Sequence, residues 1–258
     1  MTATKLYEFV EGDEKVVAPG IVAKRIRALT AIAATLWSPA VAPGETGGYI
    51  QAVDNLNAEV SGDAWVYGDA EVYGDARVSG NARVSGNAWV SGDAWVSGNA
   101  WVSGNAWVSG DAWVSGDAWV SGNAWVSGNA WVSGDAWVSG DARVYGDARV
   151  SGNAWVYGDA WVYGDAWAYG NAWVSGDGLI FWASKVGSEN GTLTVYNAKD
   201  NTLLVTRGCF IGTPEQFLAA SKEKHNDRTH HEYKLLIEVA TSRIEAARAT
   251  LPEEEVAA

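Results

Sequence analysis

Residues Ala88–Asp93 read Ala-Trp-Val-Ser-Gly-Asp, and this unit decides the fold because its pattern recurs twenty times, head to tail, between Ala58 and Asp177. No insertion or deletion interrupts the series. The first position is Ala in every copy, and the third is Val in every copy except the one with Ala168. A fixed short period over this length is typical of a solenoid, in which each unit is stabilised by stacking on its neighbours. The sequence therefore predicts a rod with a flanking segment at each end.

The alternation of side chains within the unit predicts which residues line the interior of the rod. Successive residues of an extended strand face opposite sides, so Ala and Val share one face and the residue between them takes the other. That intervening position holds Trp in fourteen copies and Glu or Arg in the other six. Charged side chains are almost never buried without partners. We therefore expect Ala and Val to form the core and the indoles to lie outside.

The last three positions of the unit, Ser or Tyr, then Gly, then Asp or Asn, predict a corner, since these residues tolerate the conformations of a sharp bend. Three strand-and-corner units, about 18 residues in total, close a triangular coil. A coil spacing of about 4.8 Å makes the rod roughly 30 Å long. Residues i and i+18 then become vertical neighbours. A flatter two-sided coil of about 12 residues stays open as the alternative.

The triangular coil places a ladder of Trp residues on each side of the rod, flanked or interrupted by Arg. Exposed apolar patches beyond a few hundred Å² are rare in monomers, and Trp is enriched at binding hot spots. One interpretation is a surface for a partner or ligand. The other is that the indoles serve the rod itself, through stacking or as copies left by repeat expansion. The predicted contact residues are Trp65, Trp89, Trp95, Trp101, Trp107, Trp113, Trp119, Trp125, Trp131, Trp137, Trp155, Trp161, Trp167 and Trp173.

The flanks predict three domains: an N-terminal β-rich cap over residues 1–57, the solenoid over 58–177, and an α+β cap with two helices over 178–258. Apolar alternation predicts N-terminal strands at Leu6–Val10 and Ile21–Leu29. Caps are expected because the ends of a solenoid expose unpaired backbone groups.

In the C-terminal segment, short strands are expected at Leu179–Ala183, Thr192–Tyr196 and Leu203–Arg207. The run Thr213-Pro214-Glu215-Gln216 is typical of a helix start. A second helix is predicted from His231 to about Ala249. Its expected apolar side consists of Leu235, Leu236, Val239, Ala240 and Ile244.

The unit that begins at Val60, Val-Ser-Gly-Asp-Ala-Trp, resembles the hexapeptide signature of left-handed parallel β-helices. The flanking runs Gly47–Ile50, Ser184–Ser188 and Gly208–Thr213 look like those of phage- and prophage-encoded hexapeptide-repeat proteins, a group loosely related to the hexapeptide-repeat acyltransferases. The resemblance implies a mainly β chain, a left-handed coil and a phage or prophage origin. The activity of that group is generally unassigned.

Catalysis is not expected, because the repeats contain no His, Cys or Lys. The three His residues lie in the C-terminal segment, and Cys209 has no obvious base beside it. Columns of Asp such as Asp75, Asp93 and Asp111 are interpreted as corners, since a calcium ion needs six to eight oxygen ligands. The sequence thus predicts no catalytic residue, no metal site and no cofactor.

The net charge of −13 argues against nucleic acid and anionic membrane surfaces as partners. A single Cys and an N-terminus without a signal-type apolar stretch predict the cytoplasm of a bacterial host cell. We expect a non-enzymatic scaffold or binding solenoid that forms a homo-oligomer, either dimer or trimer, or binds another protein through its Trp ladders. Two alternatives stay open: a module that sequesters a flat ligand or glycan, and an acyltransferase relative.

Overall fold

The computed structural model describes residues 6–35, 38–57, 62–176 and 178–251. It shows a parallel β-solenoid with short strands every six residues, each paired with the strand 18 residues further along. Trp95 pairs with Trp113, and Trp113 pairs with Trp131. The coil of about 18 residues is confirmed, and the two-sided alternative is wrong. The left hand of the coil stays a prediction.

We name the three sides of the rod by their strands. Face 1 consists of Leu56–Asn57, Arg77–Ser79, Trp95–Val96, Trp113–Val114, Trp131–Val132, Arg149–Ser151 and Trp167–Tyr169. Face 2 consists of Trp65–Val66, Arg83–Val84, Trp101–Val102, Trp119–Val120, Trp137–Val138, Trp155–Tyr157 and Trp173–Ser175. Face 3 consists of Glu71–Val72, Trp89–Val90, Trp107–Val108, Trp125–Val126, Arg143–Val144 and Trp161–Val162.

The interior of the rod is built from the Ala and Val positions, as predicted. Every Ala and Val at these positions from Ala64 to Val174 is at most 1% exposed, and Ala168 fills one Val position equally well. Burying a Val side chain contributes roughly 1.5–3 kcal/mol, so this column of methyl groups is the main source of stability. Indoles are absent from the described part of this column because layers this close leave no room for them.

The corners hold the coils together through backbone and amide contacts. Gly116 is typical, with a φ of +71° that L side chains rarely adopt. At the next corner position, Asn87 Nδ2 donates to Asn105 Oδ1 at 3.2 Å, Asn105 donates to Asn123 at 3.1 Å, and Asn123 donates to Asp141 at 2.9 Å. The predicted structural role of the Asn residues in the corners is confirmed.

The N-terminal segment forms an antiparallel sheet of β1 (Tyr7–Ala18), β2 (Ile21–Ala28) and β3 (Thr46–Ile50), followed by a 3-10 turn at Val53–Asn55. β1 extends well beyond the predicted Leu6–Val10. β3 joins the sheet of face 3, so that sheet runs across the predicted boundary at residue 57. The three-domain division itself stays a prediction.

The first coil begins earlier than the six-residue period indicates. Leu56 pairs with Val78, and Ile50 pairs with Val72, so in both cases the partner is 22 residues away. Leu56 therefore occupies the position that the period assigns to Val60. Residues 58–61, which include Glu59 at the position that holds Trp in most units, lie outside the described residues.

The C-terminal segment is a four-stranded antiparallel sheet followed by two helices. Its strands are β4 (Ile180–Val186), β5 (Gly191–Asn197), β6 (Leu203–Arg207) and β7 (Phe210–Gly212). The helices are α1 (Pro214–Lys224) and α2 (Asp227–Arg248). The predicted helix start at Thr213 is confirmed, since Thr213 and Gln216 form a reciprocal capping box.

The apolar side predicted for α2 is partly wrong. Leu235 and Val239 are each 49% exposed, whereas Ala240 and Ile244 are buried together with Tyr233 and Ile237, and Leu236 is half-buried. The helix begins at Asp227, with Asn226 as its N-cap. It packs on β4 and β5 through the side that carries Tyr233 and Ile237. Neither helix is long and apolar enough to cross a membrane.

Side chains of the C-terminal sheet satisfy the open backbone of the last coil. The Trp167 N–H donates to Thr194 Oγ1 at 3.1 Å, and Thr206 Oγ1 donates to the Trp167 carbonyl at 2.9 Å. Tyr196 donates its hydroxyl hydrogen to the Tyr169 carbonyl at 3.1 Å, and Asn197 Nδ2 donates to the Trp173 carbonyl at 3.2 Å. Backbone groups of the last coil, which have no further coil to pair with, are thus hydrogen-bonded by side chains of the C-terminal sheet.

Candidate binding surface

The central Trp residues of each face form stacked ladders. Their ring centroids lie 4.8–5.2 Å apart and their planes agree within 7°. The spacing follows from the strands, because neighbouring strands hold equivalent residues about 4.8 Å apart. The stacked pairs are Trp95–Trp113, Trp113–Trp131, Trp101–Trp119, Trp119–Trp137 and Trp107–Trp125.

Stacking decides which part of each indole is available to another molecule. Nearly parallel rings at this separation cover one another's faces in an offset stack. The most exposed Trp residues of the stacks, Trp95, Trp113, Trp125 and Trp131, are 38–40% exposed. Several indole N–H groups are also used within the ladder: Trp95 Nε1 donates to Ser79 Oγ at 3.0 Å, and Trp101 Nε1 donates to Ser85 Oγ at 2.9 Å. The ladders consequently present apolar ring edges.

Face 1 is the most open of the three. Trp95, Trp113 and Trp131 form a continuous stack at its centre, and each is exposed. Exposed arginines stand at both ends of the stack, Arg77 before it and Arg149 after it. The Arg149 guanidinium lies 5.9 Å from the ring of Trp131 and 5.9 Å from the ring of Trp167. This face has the flat, apolar centre expected of a contact surface.

Face 2 is partly covered by residues 29–35 and 38–45, which together we name the strap. Arg83 is 2% exposed, with its Nε donating to Ser38 Oγ at 3.1 Å and its Nη2 donating to the Ala33 carbonyl at 3.0 Å. Trp65 is fully buried against β3, the strand that follows the strap. A Cβ built on Gly47 of β3 would lie 2.8 Å from the Trp65 ring. The prediction that Trp65 belongs to a contact surface is wrong, because the N-terminal segment already covers it.

The other end of face 2 is also occupied. Trp173 is 5% exposed, so its prediction as a contact residue is wrong as well. Its ring packs against Tyr157, and the bridge between Ala172 and Ala198 brings the C-terminal segment beside it. The Lys199 ammonium lies 4.0 Å from the ring centre of Trp155. Partial burial of the ammonium group lowers the pKa of Lys199.

Face 3 is covered at its start and broken near its end. Lys15 forms an ion pair with the buried Glu71 at 2.5 Å, which brings β1 over the first strand. Trp89 meets Trp107 edge to face, at 72°. Arg143 interrupts the ladder, with its guanidinium 6.0 Å from the ring of Trp125 and 4.9 Å from that of Trp161. Among the described residues, no second indole stacks on Trp161.

The candidate catalytic groups lie in the C-terminal segment, away from the ladders. His225 Nδ1 lies 3.2 Å from Ser188 Oγ, and His230 Nδ1 lies 3.3 Å from Ser221 Oγ. Cys209 is exposed. No group of three His, Cys, Asp or Glu side chains is placed to hold a metal ion in the part of the chain that the structure describes. The absence of catalysis and of a cofactor stays a prediction.

Comparison with known families supports the repeat. A family model described as the YdcK beta-solenoid repeat matches residues 76–92, 82–98, 94–110 and 142–158, each about one coil long. These windows cover less than half of the chain, and a search of curated proteins found no match. The phage origin and the acyltransferase relation stay predictions. Geometry and comparison together identify a β-solenoid repeat protein with exposed Trp stacks.

Proposed function

We propose that this protein is a non-enzymatic scaffold that self-associates through face 1. The observation that carries the proposal is the stack of Trp95, Trp113 and Trp131, each 38–40% exposed and uncovered by either flank. The indole nitrogens of Trp95 and Trp113 donate to Ser hydroxyls within the rod, so the exposed ring edges are apolar. Covering such a surface with an equivalent one removes apolar area from water.

The size of face 1 sets the strength expected of the contact. Seven coils at about 4.8 Å give a length near 34 Å, and six residues limit the width to about 20 Å. The face therefore offers at most about 700 Å², slightly below the roughly 800 Å² that each partner contributes to a standard interface. A partner must cover nearly the whole face. Because each copy carries a net charge of −13, salt should strengthen the association by screening repulsion.

A second copy fits face 1 better than a sugar does. Sugars stack on ring faces, but each interior face of this ladder is already covered by the neighbouring indole at about 5.1 Å. A flat surface of ring edges suits a second flat surface, and symmetric self-association is the commonest form of assembly. Because one copy covers nearly the whole face, this contact pairs two copies as a dimer, whereas a trimer needs a second contact surface on each copy. The absence of His from the repeats in the sequence makes the acyltransferase alternative weaker.

The proposal also includes a phage or prophage origin and a location inside the bacterial host cell. The origin is supported by the resemblance of the flanks at Gly47–Ile50 and Gly208–Thr213. The location is supported by the presence of only one Cys in 258 residues, which suits a reducing compartment.

Light scattering on face-specific variants tests the proposal. Trp113→Arg places a charge at the centre of face 1, and the fold accepts Arg at this slot because Arg77 and Arg149 occupy it on the same face. We expect Trp113→Arg to reduce the mass to that of the monomer, 27.4 kDa. Trp119→Arg, the matched control on face 2, should leave the mass of the wild type unchanged. A monomeric wild type, or equal masses in both variants, would contradict the proposal.

A further inference from the structure

A cleft lies where face 3 ends against the C-terminal sheet. Trp161 and Tyr163 come from the rod, Phe181 and Trp182 from β4, and Arg243 from α2. The volume of the cleft is about 570 Å³, which is within the usual range of ligand pockets. The cleft is separate from face 1, so it is not part of the proposed oligomer surface.

The cleft is the place where the ladder of face 3 stops. Trp161 is 40% exposed; the Arg143 guanidinium lies 4.9 Å from its ring centre, and no described indole stacks on the ring. Tyr163 stacks on Tyr145 with the ring centres 5.0 Å apart, and Trp182 stands edge-on to Tyr163 at 4.2 Å and 83°. Elsewhere the stacked rings occupy one another's faces. Here a flat or chair-shaped ring can contact an indole face.

A second, smaller cavity adjoins the first and shares Trp161 with it. It has a volume of about 290 Å³ and is lined by Trp125, Ser127, Arg143, Tyr145 and Trp161. Burial, and then the nearby Tyr163, raise the pKa of Tyr145, so its hydroxyl stays protonated and can donate a hydrogen bond. The two cavities lie along the rod, as expected for successive units of one elongated ligand.

Each cavity has one arginine with no acidic partner among the residues that the structure describes. Neither Arg143 nor Arg243 forms a salt bridge within the described residues, and no described carboxylate lines either cavity. Asp177, between two lining glycines, lies outside the described residues. The Arg143 guanidinium contacts the rings of Trp125 and Trp161, but no described carboxylate neutralises either arginine, although the chain has 31 acidic residues and 18 basic ones. The two arginines would complement anionic groups on a ligand.

The geometry points to a binding site for an acidic oligosaccharide at these two cavities. One sugar ring stacks on Trp161 beside Trp182, and its carboxylate pairs with Arg243. The neighbouring sugar ring lies beside Trp125, and Arg143 binds its carboxylate. The hydroxyl groups of this sugar form hydrogen bonds with the hydroxyls of Ser127 and Tyr145. Nucleic acid also offers flat rings and anionic groups, so it is the competing occupant that the titration must exclude.

Calorimetric titration of the full chain tests the inference with two acidic probes, hexamers of galacturonic acid and of hyaluronan. We expect both to bind, more weakly as salt rises, whereas neutral maltohexaose and a six-nucleotide single-stranded DNA should not. Loss of one Arg–carboxylate contact should weaken binding at least about tenfold. Arg143→Gln and Arg243→Gln should each show this loss.

Arg149→Gln is the matched control, because Arg149 also lies between two Trp residues, Trp131 and Trp167, but on face 1. It should bind the acidic probes as the wild type does. The inference is overturned if neither acidic probe binds, if maltohexaose or the DNA binds as well, or if Arg149→Gln weakens binding as much as Arg143→Gln. Solution mass, measured on the same samples, reports separately on self-association through face 1.

Discussion

Replacing Gly116 by Ala measures how tightly successive coils are stacked. Gly116 has a φ of +71°, and a Cβ built on it would lie 2.9 Å from the nitrogen and 3.1 Å from the oxygen of Gly134, one coil further along. Both neighbours are backbone atoms that cannot rotate away. The left-handed conformation costs an L residue about 1–2 kcal/mol. The steric overlap adds about 1–3 kcal/mol, the usual cost of overpacking.

The chain offers a matched control for the conformational part of this cost. Gly170 has a φ of +65°, but it lies in the last coil and nothing is within 4 Å of its Cβ position. Gly170→Ala should therefore lower the free energy of unfolding by only about 1–2 kcal/mol, against about 2–5 kcal/mol for Gly116→Ala. Urea denaturation followed by circular dichroism measures both. Equal losses in the two variants would refute the close stacking of backbone at the corners.

Three further predictions address the strap, the amide column and the C-terminal cap. Arg83→Ala should lose about 2–4 kcal/mol of stability, because it removes the hydrogen bonds to the Ala33 carbonyl and the Ser38 hydroxyl of the strap. It should also speed amide exchange in the strap, whereas the exposed Arg77→Ala should do neither. Asn123→Asp should lose about 1 kcal/mol, since it removes a hydrogen bond to Asp141 and sets two carboxylates one coil apart; unfolding at about 0.5 M salt should show a smaller loss. Burial raises the pKa of Tyr196 above its usual 10.0, so the folded chain keeps a proton that the unfolded chain releases. Stability should fall as pH rises past 10.0, and Tyr196→Phe should make that decline shallower in alkaline titrations; an unchanged slope would contradict this assignment.

The repeat allowed the fold of the rod to be predicted in detail. Side-chain alternation placed Ala and Val inside, and the mixture of Trp with Arg at one position showed which side faces out. The corner residues set the length of one turn, and the pairing of Trp95 with Trp113 follows from it. These properties are local and recur in every unit. Each of the twenty units therefore supports the same assignment of inward-facing and outward-facing positions.

Contacts between the rod and its flanks were not predictable in this way. Trp65 and Trp113 occupy the same position of the unit, but only Trp65 is buried, because a segment that precedes the repeat covers it. Leu56 takes the position that the period assigns to residue 60, because the first coil is entered by residues outside the period. On α2, the choice between the sides of Leu235 and Ile237 depends on the sheet below the helix, which periodicity does not describe.

The cleft at the end of face 3 was missed for a similar reason, although one signal was present. Tyr replaces Ser at the fourth position of the unit at Tyr145 and Tyr163. These replacements mark the end of the rod where Trp182 of the C-terminal sheet arrives. A change of residue type at one repeat position therefore indicates where a flank contacts the rod, but the residue that arrives from the flank is known only from the fold.

Sedimentation equilibrium of the wild-type chain tests most directly whether the indoles of face 1 are covered by a second copy. We predict a mass that rises with concentration towards twice 27.4 kDa, and that rises further when salt is added. A mass of 27.4 kDa at every concentration and salt level would contradict self-association through this face.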